Sequence, residues 1–167
     1  FKNLKEIIKN TCPDWNQKIN GVLFDLGMSS WQLEESGKGF SFKRNEPLDM
    51  RFDSSQELTA KDIVNYWPEY EIEKILREYS EERYARKIAK EIVSERQKKP
   101  IFTTFELVEV IKKAVPRNYE RGRIHPATRT FQALRVATNQ ELENLRLVLQ
   151  QAMEVLQENG RIVVISF

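Results

Sequence analysis

The sequence predicts an α/β chain in which two buried strands pair in parallel and a small all-α subdomain is inserted after the first. Three observations carry this. Gly21-Val-Leu-Phe-Asp-Leu-Gly27 and Arg161-Ile-Val-Val-Ile-Ser-Phe167 are short apolar runs without helical period. Between 59 and 157 the apolar residues recur at three and four. The 167 residues, 40% hydrophobic and 31% charged, suffice for one core.

Each element follows from local chemistry. Leu4, Ile7 and Ile8 suggest a short helix, ended by Cys12-Pro13-Asp14. The first strand spans 21–27. Residues 28–58 have no sustained period and read as a long ordered loop, kept from disorder by Trp31, Phe40, Phe42, Leu48, Met50 and Phe52. Thr59 caps a helix that Trp67-Pro68 breaks. Ile72, Ile75, Leu76 and Tyr79 place another. Ser80 is positioned to cap a third, with Tyr84, Ala85, Ile88, Ala89 and Ile92 inside. Thr103 and Glu106 have capping-box spacing before Leu107, Ile111 and Val115, and Pro116 stops that helix. Phe131, Leu134, Thr138, Leu142, Leu145, Leu149, Ala152 and Leu156 form one stripe, predicting a single helix from about 128 to 157. Asn159-Gly160 stops it, and a buried strand follows. Two such strands joined through a helix pair in parallel with a right-handed crossover. Four helices between Thr59 and Val115 exceed one crossover, hence the inserted subdomain.

Composition narrows the classes. Six Gly and six Pro exclude a collagen-like or low-complexity chain. No run of eighteen apolar residues offers a membrane span. The lone Cys12 cannot form an internal disulfide, so a reducing cytoplasm is the default. A chain running from Phe1 to the end of a strand at Phe167 reads as a segment of a longer protein. Lys and Arg total 27 against 25 Asp and Glu, but the charge is uneven. Arg117, Arg121, Arg123, Arg129 and Arg135 face one acid, Glu120; seven basic residues from Arg83 to Lys99 face Glu91 and Glu95. A basic middle suits a phosphate-backbone binder; a solvated helical face is the alternative.

Ligands of open parallel sheets bind beyond the carboxyl ends of the strands. Asp25 lies there. A carboxylate on a buried strand needs partners, so it either anchors a loop or accepts from a ligand amine or hydroxyl. Met28-Ser29-Ser30 adds small hydroxyls. With one histidine, His125, and no cysteine pair, no protein-built zinc site is expected.

Ordered blocks sharpen this reading. Asp25-Leu-Gly-Met-Ser-Ser-Trp-Gln32, Gly39-Phe-Ser-Phe42, Pro47-Leu-Asp-Met-Arg51 and His125-Pro-Ala-Thr-Arg-Thr-Phe-Gln-Ala-Leu-Arg135 resemble the RsmH (MraW) family over essentially the whole chain. So do Tyr79-Ser-Glu-Glu-Arg83 with Lys87-Ile-Ala89, and Asn139-Gln-Glu-Leu142. The resemblance implies part of a class I S-adenosylmethionine-dependent methyltransferase (Rossmann-like) fold with an inserted all-α subdomain. It implies methylation of the N4 amine of a cytidine in the decoding region of small-subunit (16S) rRNA. Residues 1–50 and 125–167 would belong to the methyltransferase domain, and 51–124 to the substrate-recognition insertion. Phe1, Asp25 and Gln32 would contact S-adenosylmethionine. Phe40, Arg44, Asp49, Arg51, His125, Arg129 and Arg135 would bind substrate. Small-subunit rRNA, free or in the assembling subunit, is the implied partner in the cytoplasm; neither membrane nor metal is expected, and a homodimer stays open. The family's Gly-rich turn and ribose-binding acid precede Phe1 and its continuation follows Phe167, while Met28 and Trp31 depart from the commoner residues.

Cytosine N4 is a poor nucleophile, since its lone pair is delocalised into the ring. A sulfonium methyl donor therefore needs in-line placement more than a strong base. Asp25 is the candidate acceptor for the amine proton. The base must leave its stack, and Phe40, Phe42 or Phe131 could receive it, although Phe131 sits on the helical stripe. Two other readings compete: a non-catalytic RNA- or protein-binding module, and a DNA cytosine or adenine amino methyltransferase. The missing Pro-Pro-aromatic motif counts against the latter.

Overall fold

A computed structural model describes residues 2–14, 19–119 and 124–166. These divide into two compact units, one holding the residues up to Met28 and from Gln140 onward, the other Ser29–Asn139. The compact units therefore divide after Met28 and after Asn139. The loop after residue 29 and the helix after residue 127 pack with the central helices.

The first unit is α1 (Leu4–Thr11), β1 (Ile19–Asp25), α8 (Glu141–Val155) and β2 (Leu156–Ile165). β1 and β2 pair in parallel, regularly from Gly21 opposite Arg161 to Asp25 opposite Ile165, after a shift near Ile19. Alternation sorts the side chains. Phe24 is buried with Val148 and Ala152 of α8, and Val22, Leu26 and Ile162 pack around them. The expectation of fully buried strands fails. Leu23 is 63% exposed and Val163 53%, because among the described residues β1 and β2 pair only with each other. Regular pairing of β2 begins at Arg161, where the sequence put the strand, and Asn159 before it takes a left-handed turn (φ 64°).

The single helix expected over 128–157 is two. α7 (Thr128–Thr138) ends, Gln140 turns left-handed (φ 50°), and α8 begins anew. The break resets the helical phase. Leu142, expected inside, is 52% exposed, while Val148, Ala152 and Val155 are buried.

The second unit holds α2 (Ser30–Glu34), α3 (Ala60–Tyr66), α4 (Glu69–Ser80), α5 (Ala85–Lys98), α6 (Thr104–Ala114) and α7. α2 interrupts what the sequence offered only as loop. Reciprocal capping boxes open three helices: Ser29 with Gln32, Thr59 with Asp62, and Thr103 with Glu106. Ser80 does not cap α5; its hydroxyl donates back to the Leu76 carbonyl, and α5 starts without a side-chain cap. α4 packs on both α5 and α7, and α5 on α6. Ile63, Leu76, Ile88, Ile92, Leu107, Ile111 and Leu134 are fully buried at the centre.

Candidate functional site

Asp25 ends β1 and is exposed. Hydration removes the desolvation cost that a buried carboxylate would carry, so no loop partner is required. The Leu26 amide donates to the Ile165 carbonyl at 2.9 Å. Gly27 follows at φ +115°, and a Cβ there would meet nothing within 4 Å. A full acceptor thus stands at the carboxyl end of a parallel strand, beside backbone that a ligand can approach.

Gln32 belongs to the other unit and has a local task. Its Oε1 accepts from the Ser29 amide at 2.9 Å, while its own amide donates to Ser29 Oγ at 3.2 Å. Among the described residues its side-chain NH₂ has no partner. Phe1 lies outside the described residues, as do Glu120, Arg121 and Arg123 of the basic segment.

The loop of 36–58 is fixed by polar anchors, of which Thr104 is fully buried. Glu46 Oε2 accepts from the Gly39 amide (2.9 Å), and the Glu46 amide donates to Thr104 Oγ1 (3.1 Å). Thr104 Oγ1 in turn donates to the Arg44 carbonyl (2.6 Å), and Leu48 N–H to the Phe102 carbonyl (3.0 Å). A Cβ on Gly39 would sit 2.2 Å from the Pro47 carbonyl oxygen, and Gly39 has φ +76°. Only glycine passes here.

The basic side chains among the substrate candidates divide by their occupation. Arg51 forks onto Asp49, Nε to Oδ1 at 2.9 Å and Nη2 to Oδ2 at 2.7 Å. Its Nη1 donates to the Ser54 and Gln56 carbonyls. The Arg51 guanidinium holds the Asp49 carboxyl below its usual range. This pair shapes the loop. Arg44 is exposed, with Nη1 on the Glu34 carbonyl at 2.5 Å. Arg129 Nη1 reaches back to the Ser80 carbonyl at the end of α4 (3.0 Å). Arg135, half-buried in the last turn of α7, offers its carbonyl to Asn139.

The aromatic residues form two stacks. Phe40 is buried and lies on Phe52, ring centroids 5.4 Å apart. Phe42 lies on His125 at 4.5 Å and 19°, with Phe131 edge-on to Phe42 at 5.3 Å. His125 Nδ1 accepts from the Ala127 amide (3.1 Å), which assigns the proton of the neutral ring to Nε2. Burial, helped by Lys112, holds the imidazole below its ordinary pKa, so it is neutral at pH 7. Phe42 and His125 are both half-buried, so part of this stack is accessible to solvent, as is part of Phe52 in the other.

Two structural residues escaped sequence reasoning. Asn139 Nδ2 donates to the Met50 (2.7 Å) and Arg135 (2.9 Å) carbonyls, while its Oδ1 accepts from the Phe52 amide (2.7 Å). Glu82 is 2% exposed, and its Oε1 accepts from Tyr119 Oη and the Tyr84 amide, both at 2.8 Å. Each lies in a matched block, yet nothing in residue type or spacing marks it as buried.

A family model described as the MraW methylase family matches residues 1–167. Curated relatives named ribosomal RNA small subunit methyltransferase H match all 167 residues. That of Brevibacillus brevis is 48% identical, with 52% of its length covered. Those of Caldicellulosiruptor saccharolyticus and Persephonella marina are 49% and 50% identical, with 53% and 56% covered. The chain spans about half the length of these relatives.

Proposed function

Because the chain belongs to the MraW methylase family, we propose that it forms part of an S-adenosylmethionine-dependent rRNA methyltransferase. Its proposed target is the N4 amine of a cytidine in the decoding region of small-subunit rRNA. The observation that carries this reading is the open carboxylate of Asp25 at the carboxyl end of a parallel strand, with unobstructed Gly27 backbone behind it.

Taken singly, Asp25 and Gln32 have chemistry that the cofactor can use. Asp25, acceptor-only when ionised, suits its ammonium or hydroxyl groups, and the Gln32 NH₂ suits one of its acceptors. When bound, the cofactor supplies a methyl group activated on a sulfonium. The chain's residues position the acceptor base and handle its proton. Asp25 is the proposed acceptor of the amine proton as well as a cofactor contact. The half-buried Phe42–His125 stack is the proposed platform for an unstacked base, with base–aromatic stacking worth about 1–3 kcal/mol. The neutral His125 ring keeps Nε2–H as a donor for a base acceptor. Arg44 is exposed and suited to phosphate; Asp49 and Arg51 hold the loop that carries it. Phe40, Arg129 and Arg135 contribute indirectly, through packing and hydrogen bonds to backbone. The helices of 51–124 form the proposed substrate-recognition insertion.

The test is methyl transfer from labelled S-adenosylmethionine to small ribosomal subunits by the full-length protein, followed by nucleoside analysis. The proposal expects label on N4-methylcytidine. Label on another nucleoside would overturn the target. Binding of rRNA without any transfer would favour the non-catalytic module.

A further inference from the structure

We infer that the exposed face at the start of α5, carrying Arg83, Arg86, Lys87 and Lys90, is a docking surface for the phosphate backbone of RNA. The inference rests on the reading of the chain as part of an rRNA-modifying enzyme. It adds a surface that the matched substrate residues do not include.

Arg86, Lys87 and Lys90 recur at the spacing of one face of α5, and Arg83 lies in the turn two residues before the helix. All four are exposed, while Ala85, Ile88, Ala89 and Ile92 turn the opposite side of α5 into the core. None of the four has an ion-pair partner among the described residues; Lys87 only lies over the Tyr84 ring, at 5.5 Å. The far end of the same helix differs. Lys98 pairs with Glu95 at 2.6 Å, Lys99 with Glu106 at 2.6 Å, and Lys113 of α6 with Glu95 at 2.8 Å. Glu91 acts on Lys113. Cations are therefore neutralised at one end of α5 and left open at the other.

The open end is unfavourable for the helix itself. Arg86 and Lys87 occupy the first turn, where the macrodipole is positive and where α5 has no acid. Arg86 and Lys90 are a like-charged pair four residues apart, a further destabilising arrangement. Neither arrangement stabilises the helix, whereas a polyanion gains from each of these charges.

Neighbouring packing extends the surface. The Tyr84 ring meets Tyr119 edge-on at 4.8 Å, and Tyr119 is tied to buried Glu82. Exposed Arg117 lies two residues from Tyr119 along the chain. By contrast Arg51 and Arg129, the arginines that the matched blocks suggested, donate to groups of the chain itself.

The test measures binding of a small-subunit rRNA transcript by the full-length protein across a salt series. Wild type is compared with a quadruple variant, Arg83→Gln, Arg86→Gln, Lys87→Gln and Lys90→Gln. Four lost phosphate contacts should make the log–log salt slope shallower by about 3, since each contributes about 0.7–0.9. Affinity at 0.1 M salt should fall at least tenfold, with S-adenosylmethionine affinity unchanged and the thermal midpoint unchanged or raised. A control, Lys98→Gln, Lys99→Gln and Lys112→Gln, removes lysines already paired with Glu95, Glu106 and Glu109. It should move the slope by less than about 1. If the quadruple variant unfolds, the Lys87→Gln/Lys90→Gln pair should still flatten the slope by about 1.5. An unchanged slope, or an equal change in the control, would overturn the inference. Normal binding of naked transcript with lost binding to assembled subunits would assign the face to an acidic protein instead. Wild-type protein that binds no rRNA would defeat the functional reading itself, and this surface with it.

Discussion

Replacing Asn139 with alanine should destabilise the second unit by about 2–4 kcal/mol. The variant removes three side-chain hydrogen bonds. The Arg135 carbonyl keeps a partner, because the Asn139 backbone amide also donates to it at 3.0 Å. The Phe52 amide and the Met50 carbonyl are left without their side-chain partner, and each such buried group costs about 1–3 kcal/mol. Phe52 is half-buried, so water reaches its amide in part and the lower half of the summed range applies. Asn139→Asp separates the two contributions. It keeps the acceptor for Phe52 but turns a carboxylate toward two carbonyls, so it should be no milder than alanine. Urea denaturation should show a lower midpoint at unchanged slope. Hydrogen exchange at Phe52 should accelerate about as far as the global stability falls. A loss below about 0.5 kcal/mol, with Phe52 still protected, would refute the claim that Asn139 pins this loop.

Three further outcomes are expected. Gly39→Ala should cost more than the roughly 1–2 kcal/mol of a left-handed residue, because its Cβ would also meet the Pro47 oxygen at 2.2 Å; a near-neutral thermal midpoint would contradict that. The imidazole resonances of His125, the only histidine, should titrate below the ordinary 6.5 and report the Nε2–H tautomer. A folded pKa below the unfolded value means the unfolded chain binds the proton more tightly. Stability from this group is therefore complete above pH 6.5 and declines as pH falls toward the folded value; a titration above 6.5 would reverse the sign. Asp25→Ala should lower S-adenosylmethionine affinity of the full-length protein at least tenfold by calorimetry while leaving the thermal midpoint in place, since the carboxylate is exposed; unchanged affinity would remove Asp25 from the cofactor site.

What was readable in advance follows from the range of the interactions. Thr103 and Glu106 satisfy each other three residues apart, so their capping box is a local fact and was legible. The four helices between Thr59 and Val115 were legible for the same reason, their apolar spacing being internal to each. The break at Gln140 was not. Leu142 continues the apolar spacing in the sequence, and only packing in two different units separates it from Phe131. Strand burial also escaped, since an apolar run does not say how many neighbours its sheet has. At the candidate site the types of Arg51 and Arg129 suggested ligand contacts. Their carbonyl and carboxylate partners come from loops and a neighbouring helix, which spacing cannot pair. The strand-end position of Asp25 was legible because it is local. Its exposure was not.

The loop anchors have a consequence for the order in which the molecule can form. Thr104 binds the loop from 58 and 60 residues further along the chain, and Asn139 from 87 and 89. Closing such distances costs entropy before any bond repays it, and folding slows accordingly. During synthesis from the amino terminus, α3 can form on its own capping box. The preceding segment can be fastened in part once Thr104 has emerged, and at Met50 and Phe52 only after Asn139 has followed. Its geometry is therefore set late, by residues made long after it.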